Sequence, residues 1–149
     1  MPGLEDLYRE IILDHYRSPR NRGELPPPAA HAVGHNPLCG DEIEVFLEVA
    51  DGVVSDIKVG GQGCSISQSS ASMMSQAVKG KSIDDVRALV HRFKSMMSIH
   101  EPDELDEDAP EVKLGDLEAL QGVVKFPVRI KCAVLAWNTL IEALVDAKV

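Results

Sequence analysis

The chain has 149 residues, enough for one domain with a hydrophobic core. Its net charge of −9 removes the basic footprint of a nucleic-acid binder, and 44% hydrophobic with 26% charged residues is the balance of a globular protein. No apolar run is long enough to cross a membrane, and the start "MPGLEDLYREIILDHYRSPRNRG" has charges in place of an apolar signal core, which predicts a cytoplasmic protein.

Residues 4–16 read as a helix, with Leu7, Ile11 or Ile12 and His15 at helical spacing. The run "SPRNRGELPPPAA" interrupts regular structure and reads as a linker. Residues 42–50 alternate: Ile43, Val45, Leu47 and Val49 share one face, and Glu42, Glu44, Phe46 and Glu48 the other. Asp51-Gly52 predicts a tight turn, and Val53, Ser55, Ile57 and Val59 predict a return strand. A third strand is an option.

After the glycines of "GGQGCSIS", Ser67 is a plausible cap for a helix carrying Ser70, Met73, Met74 and Ala77 on one face. That helix ends at Gly80, with Lys79 in its last turn. Ser82 with Asp85 resembles a capping box for a helix whose apolar stripe is Val86, Leu89, Val90, Phe93 and Met97. Residues 101–111 hold seven acidic side chains and no basic one, a solvated loop or insertion. "LGDLEALQGV" suits a short helix. Pro127 opens a final helix to about residue 145, with Ile130, Val134, Trp137, Ile141 and Leu144 as its stripe. These elements predict a single α+β domain over 1–149, a small antiparallel β-sheet packed against several helices, with an acidic insertion around 100–113.

Three cysteines, Cys39, Cys64 and Cys132, leave one over from any disulfide. They can be buried inert thiols, a reactive thiol or metal ligands. Cys39 sits in a Pro-Leu-Cys-Gly-Asp loop, Cys64 just before a helix start whose dipoles favour a thiolate, and Cys132 in the first turns of the last helix. At about 100° per residue Cys132 falls roughly 200° from Ile130, off the apolar stripe. The loop, the hairpin end and the helix start can meet at one end of the sheet.

Three thiolates with Asp41 would make an S₃O donor set, suited to Zn²⁺ or to an iron–sulfur cluster with one non-thiolate ligand. Asp41 can equally be a turn or capping residue. His35 is a further ligand candidate, although a loop histidine is more often solvated; His15, His91 and His100 need no special role, and the methionine pairs read as core filler. The spacing is not a zinc-finger pattern. Read alone, these residues leave metal site, persulfide site and inert thiols all open.

"NPLCGDEIEV", "GQGCSISQSSASMMSQAVKGKS" and "LGDLEALQGVVKFPVRIKCAVLAW", together with the "LYREIILDHYRSPRNRG" start, resemble the IscU/NifU-N-terminal family of iron–sulfur cluster assembly proteins, its SufU branch most of all. The resemblance implies a SufE/NifU-like fold and a metal or cluster site at Cys39, Asp41, Cys64 and Cys132. Scaffold-type members carry a histidine directly before the last cysteine; this chain has Lys131 there. That departure, with the long stretch before the last motif, resembles zinc-containing sulfur acceptors.

The implied activity is a zinc-dependent sulfurtransferase. It would take persulfide sulfur from a SufS-like cysteine desulfurase onto Cys39 and pass it to the SUF scaffold complex, with no nucleic acid or membrane partner. The resemblance further implies that Cys39 leaves the metal when the desulfurase binds, and Arg129 is a candidate docking residue. The alternative is a scaffold carrying iron as a transient [2Fe–2S] cluster on the same four residues. A structural zinc that only holds the fold is a third option.

Overall fold

A computed structural model describes residues 4–37, 40–97 and 114–148. In chain order these form α1 (Leu4–Arg17), β1 (Ala30–Asn36), β2 (Asp41–Ala50), β3 (Val53–Gln62), α2 (Ser65–Val78), α3 (Ile83–Met96), a 3-10 helix (Gly115–Lys125) and α4 (Pro127–Asp146). The three strands make one antiparallel sheet in the order β1-β2-β3, as the α+β reading requires. The acidic run at 101–111 lies outside the described residues.

β2 buries Ile43, Val45 and Leu47 on its inner face, as its alternation demands. β1, only an option from sequence, pairs along its whole length with β2: Ala30 opposite Leu47, Ala32 opposite Val45, Gly34 opposite Ile43 and Asn36 opposite Asp41. Its inward residues are small because α4 lies against them. A Cβ on Gly34 would fall 2.2 Å from Thr139 Oγ1. Small residues produce little apolar alternation, so the strand is faint in the sequence.

β3 departs from simple alternation. Pairing runs Glu48 to Asp56 and then Val49 to Val54, so a bulge leaves Ser55 outside the ladder. Val54, Ile57 and Val59 are buried, while Val53 and Ser55 are not. The turn between β2 and β3 has positive φ at both Asp51 (+54°) and Gly52 (+74°), the conformation of a tight hairpin.

α2 is capped by Cys64, one turn earlier than the Ser67 expected: the Ser67 amide donates to Cys64 Sγ at 3.5 Å. The serines of α2 are mostly buried and let neighbouring backbones approach. Ser70 Oγ donates to the Ala133 carbonyl of α4 at 2.6 Å and accepts from Trp137 Nε1 at 3.2 Å. Ser82 caps α3, accepting from the Asp85 amide. α3 buries Val86, Leu89, Val90 and Phe93, and Phe93 stacks on Trp137 with ring centroids 4.4 Å apart.

α4 runs through the centre of the molecule. The sheet covers one side, and α2 with the 3-10 helix covers another. Residues 132–137 are therefore all buried, not only the expected stripe. Cys132, placed off that stripe by periodicity, is fully buried.

The supposed linker is a strap. Val59 N donates to Asn21 O and Gly23 N to Val59 O, while Asn21 Nδ2 reaches Ser75 Oγ and Arg20 N reaches Ser72 Oγ. His15 joins the same network: Nδ1 lies 2.7 Å from Ser72 Oγ and Nε2 3.1 Å from Asp116 Oδ2. It ties α1 to α2 and to the 3-10 helix, a structural part that periodicity alone had not assigned. Nearby, Arg20 Nη2 donates to Asp14 at 2.6 Å, and this hydrogen bond, helped by the guanidinium charge, lowers the Asp14 pKa below its ordinary value.

Candidate metal centre

The β1–β2 pairing closes on Asn36 and Asp41. Residues 37–40 connect them, and Cys39 belongs to that connection by sequence; Leu38 and Cys39 themselves lie outside the described residues. Gly40, next to them, is exposed with φ +69°, and among the described residues nothing lies within 4 Å of where its Cβ would stand. Cross-strand partners point to the same side of a sheet, so Asn36 and Asp41 both turn inward. They are 6% and 1% exposed.

Asp41 is a carboxylate carried into the interior. Its Oδ1 accepts the Cys64 amide at 2.8 Å, and its Oδ2 lies 3.9 Å from Cys64 Sγ. This contact requires the β3–α2 turn to pass hard against β2. A Cβ on Gly61 would fall 2.0 Å from the Glu42 carbonyl oxygen. One on Gly63 would fall 2.2 Å from Asp41 Oδ1 and 2.8 Å from Ser67 Oγ. Gly61 is thus a clearance for the β2 backbone and Gly63 a clearance for the aspartate itself.

Cys64 reaches the same place as the cap of α2. Its sulfur accepts the Ser67 amide, and the helix N-terminus favours negative charge there. Cys132 arrives from the second turn of α4, its Sγ 3.9 Å from the Val128 carbonyl and 3.7 Å from Asn36 Nδ2. Both cysteines are free of disulfide. One donor atom each from Asp41, Cys64 and Cys132 lie within 4.8 Å of one another.

That set fits a tetrahedral thiophilic cation. Zinc–sulfur bonds of about 2.3 Å and zinc–oxygen bonds of about 2.0 Å need donors roughly 3.5–3.8 Å apart, a small contraction of what is present. A buried carboxylate beside two thiols also calls for a cation. Among the described residues no Lys, Arg or His forms an ion pair with Asp41.

The other candidates fall outside this group. His35 is exposed on β1, and Lys131 is exposed beside the buried Cys132. Arg129 is exposed on the first turn of α4, on the rim of a groove that Tyr8, Ile12, Ile66, Val123 and Phe126 line. Sequence reasoning passed over Asn36 and Ser67 as site residues. Nothing local marks Asn36, since only its strand partner reveals that it faces inward; Ser67, a plausible cap by sequence, is three residues from the real one.

The chain belongs to the family of NifU-like N-terminal domains, whose family model matches residues 7–133. It is 47% identical over 137 residues to the zinc-dependent sulfurtransferase SufU of Bacillus subtilis, an alignment covering 92% of this chain and 88% of that one. It is also 40% identical over 141 residues to the iron–sulfur cluster assembly scaffold protein IscU of Streptococcus pyogenes, over 95% of this chain and 84% of the relative.

Among solved structures, a NifU-like N-terminal protein from Brucella abortus superposes with a TM-score of 0.81 at 26% identity, over 98% of both chains. A protein described as an iron–sulfur assembly scaffold for the SUF system of Fervidobacterium islandicum superposes with a TM-score of 0.79 at 30% identity, over 95% of this chain and 99% of that one. No helix among the described residues is long and apolar enough to cross a membrane.

Proposed function

We propose that the protein is a zinc-dependent sulfurtransferase of iron–sulfur cluster assembly. It accepts sulfur on Cys39 from the persulfide of a SufS-like cysteine desulfurase and passes it to the SUF scaffold complex. The observation that carries this reading is the Asp41–Cys64–Cys132 group, two buried residues and a half-buried Cys64, which lies at the base of the connection holding Cys39. It is supported by the likeness to a sulfurtransferase over most of the chain.

Asp41, Cys64 and Cys132 would hold the zinc, with Cys39 as the fourth ligand. Bound zinc would keep the thiols deprotonated near neutral pH and shielded from oxidation. In the transfer itself, the Cys39 thiolate attacks the outer sulfur of the donor persulfide. The donor S–S bond breaks, the donor cysteine leaves as a thiolate, and Cys39 keeps the persulfide; no net oxidation occurs. Cys39 is the group suited to this exchange because its neighbour Gly40 is exposed and uncrowded, whereas Cys64 and Cys132 are fixed by α2 and α4. Arg129, beside an apolar groove that begins at Ser65 and Ile66 next to Cys64, is the docking residue for the desulfurase. A reducing cytosol is the compartment in which these cysteines stay reduced.

The test is metal analysis of protein purified without added metal, followed by turnover of a cysteine desulfurase in its presence. Near-stoichiometric zinc and strong stimulation are expected. Cys39→Ser should lose persulfide acceptance altogether, and a variant that still accepts sulfur would remove Cys39 from the mechanism. The likeness to scaffold proteins supports a second reading, with a [2Fe–2S] cluster as cargo on the same residues. Protein isolated with iron–sulfur absorption and without effect on the desulfurase would establish that reading. Lys131, at the position where scaffold-type members resemble one another in carrying histidine, favours the first.

A further inference from the structure

We infer that Asn36 is a positioning residue of the metal centre: its side-chain amide donates a hydrogen bond to Cys132 sulfur and holds that ligand as a metal-bound thiolate. The inference rests on the metal-binding reading of the Asp41–Cys64–Cys132 group. Three observations carry it.

Asn36 is the strand partner of Asp41, so its side chain emerges on the face that carries the donor set. It is 6% exposed, a position where an amide must find partners inside the protein. And its Nδ2 lies 3.7 Å from Cys132 Sγ, within reach of an N–H···S contact.

The orientation of the amide is fixed by chemistry. Its oxygen turned toward a metal-bound thiolate would set two acceptors against each other, whereas the N–H finds in that thiolate a far better acceptor than in a neutral thiol. Partners of this kind around a metal ligand orient it and tune its donor strength, and removing one typically lowers metal affinity by about 10–100-fold. Asn36 also ends β1 and begins the connection to Cys39. One residue thereby restrains a buried ligand and sets the starting point of the segment that carries the proposed sulfur acceptor.

The test compares wild type with Asn36→Leu, which has nearly the same shape but no donor, and Asn36→Ala, which removes side chain and donor together. Cobalt(II) loaded in place of zinc gives sulfur-to-metal charge-transfer bands whose energy falls when a hydrogen bond to the thiolate is lost. Both variants should shift these bands to longer wavelength and release zinc to a chromophoric chelator about tenfold faster.

The metal-free proteins serve as the control, because a purely structural role would lower their thermal midpoints without touching the bands. Unshifted bands and unchanged release in both variants would overturn the role of Asn36. Wild type that takes up neither cobalt nor zinc would overturn the metal-binding reading itself, an outcome visible before any variant is compared.

Discussion

The glycines of the β2–β3 hairpin and those that lead from β3 into α2 meet different surroundings. At the distal end Gly52 and Gly80 have open space where a Cβ would stand; they serve positive φ at a hairpin turn and behind α2. At the site end Gly61 and Gly63 stand where a Cβ would collide with backbone and with Asp41 itself. The distal end is ordinary turn chemistry, and its substitutions act on stability. The site end is built by crowding: a carboxylate, a helix cap and a buried helical cysteine are brought to one point because Gly61 and Gly63 put no side chain between them.

The largest expected effect follows from breaking the crowded end. Gly63→Ala places a methyl group on Asp41 and Ser67. It should cost about 3 kcal/mol in urea unfolding of the metal-free protein, in the range of overpacked cores. Displacing a ligand in this way should also weaken zinc affinity by about a hundredfold in a chelator competition. A variant that binds zinc like wild type would show that the clearance at Gly63 does not serve the site.

Gly52→Ala sharpens the contrast at the other end. A side chain at φ +74° costs about 1–2 kcal/mol of stability, and zinc affinity should stay within twofold of wild type. A parallel loss of metal would mean that the two ends are not independent.

The smallest effect belongs to the strap. The lowered Asp14 pKa means that its ion pair with Arg20 contributes stability while the carboxylate is charged, above its ordinary value of 3.8. That contribution is lost as pH falls through the lowered native value. The thermal midpoint of metal-free wild type should therefore exceed that of Asp14→Asn slightly at pH 6, and the gap should close in acid, below the ordinary value of 3.8. A gap that persists in acid would assign the difference to something other than this pair.

What was legible in the sequence follows the same division. Elements marked by large apolar residues at regular spacing, namely α1, β2, α3 and α4, could be read directly. β1 was faint because α4 packs onto it through Ala30, Ala32 and Gly34. The burial of Cys132 was hidden because periodicity assumes one buried face, and α4 has neighbours on several sides. The bulge at Ser55 defeated strict alternation along β3. The motif cysteines and Asp41 could be singled out from their loops and helix starts, but that Cys64 itself caps α2 and that Asp41 accepts its amide are properties of the assembled turn.

The chain has a single tryptophan, and its position makes it a built-in optical reporter. Trp137 follows Cys132 by five residues on α4, about 7.5 Å along the helix axis. Its ring lies on Phe93 of α3, and its N–H is held by Ser70 of α2, the helix that Cys64 caps. Intrinsic emission therefore samples the junction of the two helices that present Cys64 and Cys132. Loading or stripping a metal, or docking a partner that shifts either helix, can be followed on the unlabelled protein.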